Sequence, residues 1–262
     1  MNRVVAALLA CSSLSNGAIA ARPEVGPDPN NETQVLGKRV SGFRVQGLPL
    51  VDALIQLGMA TGQPMGIEYV DLESLEKPTS FSLDHGTLGE GLRLILAGRK
   101  SYTWRVENAV LVVTNAFVRR GRANLLHRVL PAFSIPRCTL QEASHELEMD
   151  LTQQLHPGMG IIGDYNPGLK GLTVGPLEMK DVTVRQALDR LVEAAGQAAW
   201  VVQVLPRESD QAPSYGFWRV VEYNDGATVG RVGELILRTM LAPHRPTRSP
   251  GTSPKTGMRD GP

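Results

Sequence analysis

Apolar residues recur along this chain with two periods, and the order in which the periods alternate is written twice. Residues 40–46 alternate apolar and polar as a half-buried strand does. Leu50, Ala53, Leu54 and Leu57 then fall at i, i+3, i+4 and i+7, the stripe of an amphipathic helix. Pro49 suits its first helical position and Gly62 the residue just past its end. Residues 65–70 and 79–83 read as short strands around a charged, proline-containing stretch, 71–78. Thr87-Leu88-Gly89-Glu90 is a capping box, in which the threonine oxygen accepts from a free N–H of the first turn and the glutamate reaches back to the cap. It opens a second helix with Leu88, Leu92, Ile95 and Leu96 as its buried stripe and Gly98 at its end. Residues 102–106 and 109–113 are read as alternating strands around Glu107-Asn108, the arms of a hairpin in which Asn tolerates positive φ. The predicted order is β-α-β-β-α-β-β.

That order returns. Phe43, Val45, Leu50, Ala53 and Leu57 align with Phe133, Ile135, Leu140, Ala143 and Leu147, each pair 133 − 43 = 90 positions apart. Thr87, Leu92, Ile95, Leu96 and Trp104 align with Thr183, Leu188, Leu191, Val192 and Trp200, now 200 − 104 = 96 apart, so the second copy carries 96 − 90 = 6 extra residues. The predicted place for them is the Gly- and Pro-rich loop 156–171. Thr139-Leu140-Gln141-Glu142 and Thr183-Val184-Arg185-Gln186 are two further capping boxes. The expectation is an α+β chain of two tandem β-α-β-β-α-β modules, each a small mixed or antiparallel sheet packed by two helices around its own core. Trp104 and Trp200 are expected in those cores, on strands that face helices. The predicted division is a signal peptide over 1–20, a flexible lead-in over 21–39, a first domain over 40–115, a linker over 116–128, a second domain over 129–224 and, over 225–262, one short helix and a disordered tail.

Composition narrows the function classes. The chain has 262 residues, is 42% hydrophobic and carries a formal charge of +1. Losing Arg3 with a leader removes that charge, so no net field favours nucleic acid or an anionic membrane. Arg119, Arg120, Arg122 and Arg128 lack interleaved aromatic residues for base stacking and read as a solvated linker. Met1-Asn2-Arg3, the apolar run 4–14 and Ala18-Ile19-Ala20 form an export signal with a small-x-small cleavage site. Leu8-Leu9-Ala10-Cys11 offers a rival lipobox reading, with Cys11 as a lipid anchor. Cleavage after Ala20 leaves Cys138 as the one thiol, so the fold must rest on packing. Asn31-Glu32-Thr33 matches a glycosylation sequon, a pattern common by chance.

Candidate chemistry is thin. Cys138 begins a helix with His145 seven residues on, an arrangement that could serve an exported thiol enzyme or hydrolase, although spacing supplies neither contact nor an orienting third group. His85, His127, His145, His156 and His244 are scattered, with no zinc-site spacing. Glu142 and Glu146 share a helix face beside Glu148 and Asp150 and read as a solvated acidic surface. The stretch 158–163 matches GxGxxG but follows a helix and precedes Asp164-Tyr165-Asn166-Pro167-Gly168, the reverse of a dinucleotide fingerprint, and reads as a contact loop. No catalytic, cofactor-binding or metal-binding residue is assigned.

Phe43-Arg44-Val45-Gln46-Gly47-Leu48-Pro49-Leu50, with Asp52-Ala53-Leu54, Leu57 and Gly62, resembles the opening of the short N-terminal domain of secretins and TonB-dependent receptors. The helix from Thr87 and the hairpin from Tyr102 are similar to that domain's end, and the second unit resembles it more distantly, with Pro136-Arg137-Cys138-Thr139 in place of the Gly-Leu-Pro turn. The resemblance implies a non-catalytic periplasmic module that contacts an envelope or secretion-system protein. With no barrel or channel region following, it implies an adaptor, assembly or signalling factor rather than a pore. A lipid-anchored structural envelope protein is the other alternative.

Overall fold

The computed structural model describes residues 29–69, 77–115, 125–155, 171–205 and 214–223. The expected leader 1–20, Cys11, the arginines at 119, 120 and 122, the 158–163 stretch and the tail 225–262 lie outside those residues. The fold is α+β.

The first half opens with α1 (Pro29–Leu36), then β1 (Arg39–Leu48), α2 (Leu50–Thr61), β2 (Met65–Tyr69), β3 (Thr79–Thr87), α3 (Leu88–Ile95), β4 (Tyr102–Glu107) and β5 (Val110–Asn115). Pro49 is the N-cap of α2 rather than its first helical residue, because its ψ of 151° is extended; Gly62 closes the helix at φ 60°. Asn108 turns the β4–β5 hairpin at φ 55°. The second half runs from a 3-10 turn (Leu125–His127) through β6 (Val129–Ile135), β7 (Cys138–Thr139), α4 (Leu140–Leu155), β8 (Thr173–Val174), β9 (Leu177–Thr183), α5 (Val184–Ala195), β10 (Ala198–Leu205) and β11 (Ser214–Glu222). All three capping boxes form: Thr87 with Glu90, Thr139 with Glu142, and Thr183 with Gln186, each threonine oxygen accepting the N3 amide and each N3 side chain accepting the threonine N–H.

Two expectations about local structure change. The lead-in is not featureless: α1 forms over Pro29–Leu36, since Val35 buries itself in the first core and Leu36 packs against that core. Length is also redistributed in the second half, because α4 has 16 residues against 12 in α2, and that absorbs 16 − 12 = 4 of the extra residues in regular helix.

The larger difference concerns the sheets. β1 pairs antiparallel with β3, and β6 with β9, giving one two-stranded ribbon per half. The remaining long strands do not form two separate sheets. They join into one five-stranded sheet, ordered β4-β5-β2-β10-β11, in which β2 and β10 are parallel neighbours from opposite halves. Helices α2 and α3 lie on one face of this sheet beneath the β1–β3 ribbon. Helices α4 and α5 lie on the other beneath β6–β9.

The physical reason is in the strands. Leu111 and Val113 of β5 belong to the first core, whereas Val110 and Val112 belong to the second. β10 divides likewise, with Ala199 and Val201 in the first core and Ala198, Trp200 and Val202 in the second. Strands apolar on both faces need cover on both faces. The two halves provide it for each other. Each core is thus completed by residues of the other half, and Val221 and Tyr223 from the end of the second half also enter the first core.

Candidate functional site

Where β2 meets β10 and α5, polar side chains are buried that hydrophobic periodicity did not single out. Glu68 on β2 forms an ion pair with Arg185 on α5, and Glu68 is 1% exposed. One turn further along α5, Asp189 accepts a 2.8 Å hydrogen bond from the indole N–H of Trp200, which is fully buried. Burial pushes the Asp189 carboxyl up to about 7; the Trp200 hydrogen bond and the charges of Arg185 and Arg105 pull down, while Glu107 adds to the rise. Arg105 and Glu107, both on β4, form an ion pair.

The same seam is closed by close packing. The Trp200 ring lies over Gly66 so tightly that a Cβ there would overlap it, and Gly58 in α2 receives the Tyr223 ring in the same way. The Tyr223 hydroxyl donates a 2.6 Å hydrogen bond to the Gln63 carbonyl, 160 positions away, and burial pushes its phenol well above the ordinary range. Gln63 in turn donates through its side-chain amide to the carbonyls of Pro64 and Ala109. A buried acid with a proton near neutrality could suit chemistry. Here its partners are an indole and a paired arginine inside a filled core, which is the setting of a structural joint.

The residues singled out from sequence fall elsewhere. Cys138 is half-buried on β7, and burial, then Glu142 and Glu146, push its thiol up, opposite to the shift that activates a cysteine nucleophile. Glu142 is engaged by the Thr139 amide and hydroxyl, so it serves as a cap. The acidic face of α4 is not wholly solvated: burial raises the carboxyls of Glu148 and Asp150. Trp200 is a core residue as expected, whereas its counterpart Trp104 is only half-buried against the first core. Among the described residues no cluster of three His, Cys, Asp or Glu could hold a metal ion. Among the same residues no helix is long and apolar enough to cross a membrane.

The signal for the buried joint was present but ambiguous. Arg185 and Asp189 stand at i, i+4, and each lies three residues before a core member of α5, Leu188 and Val192 respectively. On a helix that spacing places both charges beside the apolar stripe, where only a partner decides between burial and solvent. No protein-family model matches the chain, and comparison with curated proteins and with solved structures finds no match.

Proposed function

We propose that this chain is a non-catalytic periplasmic interaction module: an adaptor, assembly or signalling factor of an envelope system related to secretins or TonB-dependent receptors. The observation that carries the reading is the pairing state of the strands. Among the described residues β4 and β11 each pair on one side only, as do both strands of each ribbon. A strand with a free side offers a row of backbone donors and acceptors to an extended segment of another protein. The Phe43-to-Leu50 motif and the export signal supply the compartment. The direction of the Cys138 shift supports a scaffold over a thiol enzyme.

The test is chemical crosslinking of the tagged chain in envelope extracts against a tag-only control. Specific enrichment of an envelope protein is the expected result, and none over control would remove the adaptor reading. Cys138 should react with a small alkylating probe far more slowly in the folded chain than in urea. Rapid, stoichiometric labelling of the native state would favour the thiol-enzyme alternative.

A further inference from the structure

We propose, beyond the interaction-module reading and independently of it, that the seam between the halves is a recognition surface for a second copy of this chain. Two copies exchange halves, the first half of each closing with the second half of the other.

Three pairings cross the seam, and each is specific in shape or in charge. Trp200 lies level with Gly66 in the parallel β2–β10 pair, and its ring occupies the space of a Cβ there. Arg185 of α5 pairs with Glu68 of β2, both buried. Tyr223 seats its ring on Gly58 and donates its hydroxyl to the Gln63 carbonyl. Each pairing takes one member from residues 29–115 and the other from residues 125–223. α5 also packs on β2 and β5, and α2 on β10. A half without its counterpart therefore shows a wide apolar face that carries an unpaired charge, with either a notch for an indole or the indole itself. An unrelated protein would have to match glycine to tryptophan, acid to arginine and carbonyl to phenol at one spacing. Another copy of the chain carries all three matches already.

The same contacts form whether the two halves belong to one molecule or to two. The covalent tie between them is the stretch from Asn115 to Leu125, 125 − 115 = 10 Cα–Cα steps. A tie of that length reaches about 35 Å at most and sets an effective concentration on the order of a millimolar, so a folded chain in dilute solution closes on itself. During folding the balance differs. The first half ends at residue 115 and β10 begins at residue 198, 198 − 115 = 83 residues later. At ordinary rates of synthesis that interval is roughly 4 to 17 s. Copies made or refolded side by side meet in that interval with matching faces uncovered. An exchanged pair holds every seam contact of the closed monomer, and releasing it means breaking two seams at once, so it persists after dilution.

Complementary variants of the full chain test the exchange. Gly66→Val drives a branched side chain into the Trp200 ring, and Trp200→Ala leaves a space at the same place. Unfolded together in urea and refolded, the two variants should give a mixed dimer by size exclusion with light scattering. One of its joints regains Gly66 with Trp200, and the other sets the new valine in the space the indole left. At least threefold more dimer is expected from the mixture than from either variant refolded alone at the same total concentration. The parental chain supplies a second measurement that does not depend on how the variants fold. Two differently tagged parental preparations, refolded together, should yield a dimer carrying both tags, in a share that rises with concentration. Only monomer from that mixture at every concentration up to about 0.1 mM, a tenth of what the tie supplies, would overturn the proposal. So would a dimer that the two variants form no better together than apart, or one that appears equally when parental chains are folded separately and then mixed, since either would use another surface.

Discussion

At the scale of single residues, the paired tryptophans have different burdens. Trp200 is fully buried and anchors Asp189, so Trp200→Ala should cost roughly 3 to 5 kcal/mol in a urea melt, whereas the half-buried Trp104 should cost less than half as much. Equal losses would mean that the two sites are equally enclosed. Asp189 makes a signed prediction. Its pKa rises on folding from the ordinary 3.8 to about 7, so the folded chain keeps a proton that the unfolded chain releases across that window. Its contribution is fully present below the lower value and is lost as pH rises through the upper one, by about 4 kcal/mol at most. Asp189→Asn keeps the acceptor for the indole and removes the titration. Its stability relative to the parent should therefore grow between pH 4 and pH 8, and a pH-independent difference in urea midpoints would contradict the assignment. The tryptophans were legible because they repeat. Asp189, Arg185 and Glu68 were not, because a charged residue beside an apolar stripe is buried or solvated according to partners supplied by distant segments.

Elements were legible where their cause is local. The three capping boxes, the Gly62 stop and the Asn108 turn each depend on residues within a few positions of one another, and each forms where the sequence places it. Elements held by remote contacts were harder to see. α1 has only Val35 and Leu36 to hold it, and nothing in its own eight residues announces the core they reach. The strands carried a clearer signal that invites misreading. Ala109-Val110-Leu111-Val112-Val113 and Ala198-Ala199-Trp200-Val201-Val202 are unbroken apolar runs, not alternations, and such runs belong to strands covered on both faces. Gly66 tests the joint directly. Gly66→Val forces a branched side chain into the Trp200 ring in a parallel strand pair, and should destabilise the fold by roughly 1 to 3 kcal/mol or more. A neutral substitution would show that β2 and β10 separate at little cost.

For the whole molecule, sharing one sheet changes what a domain boundary means. Two helix pairs and two ribbons follow the repeat, but each core borrows strands from the other half, so a cut between residues 115 and 125 exposes Val110 and Val112 on one side and removes Ala199 and Val201 from the other. Residues 29–115 produced alone should bind a hydrophobic dye or self-associate, and the full chain should unfold in a single transition by fluorescence and circular dichroism alike. Two separate transitions would restore independent domains. The repeat was readable because duplicated patterning survives in sequence. The place of the extra residues was only partly readable: all six were expected in the loop 156–171, whereas α4 takes 16 − 12 = 4 of them as helix. How the halves meet was not readable, because the pairing of β2 with β10 links Met65 to Ala199, 199 − 65 = 134 positions apart. That separation sets an order of events at synthesis. The amino-terminal portion lacks its neighbouring strand until residues 198–205 have emerged, and closure over such a distance is slow. A polypeptide so delayed meets the other half of its sheet only near the end of its synthesis.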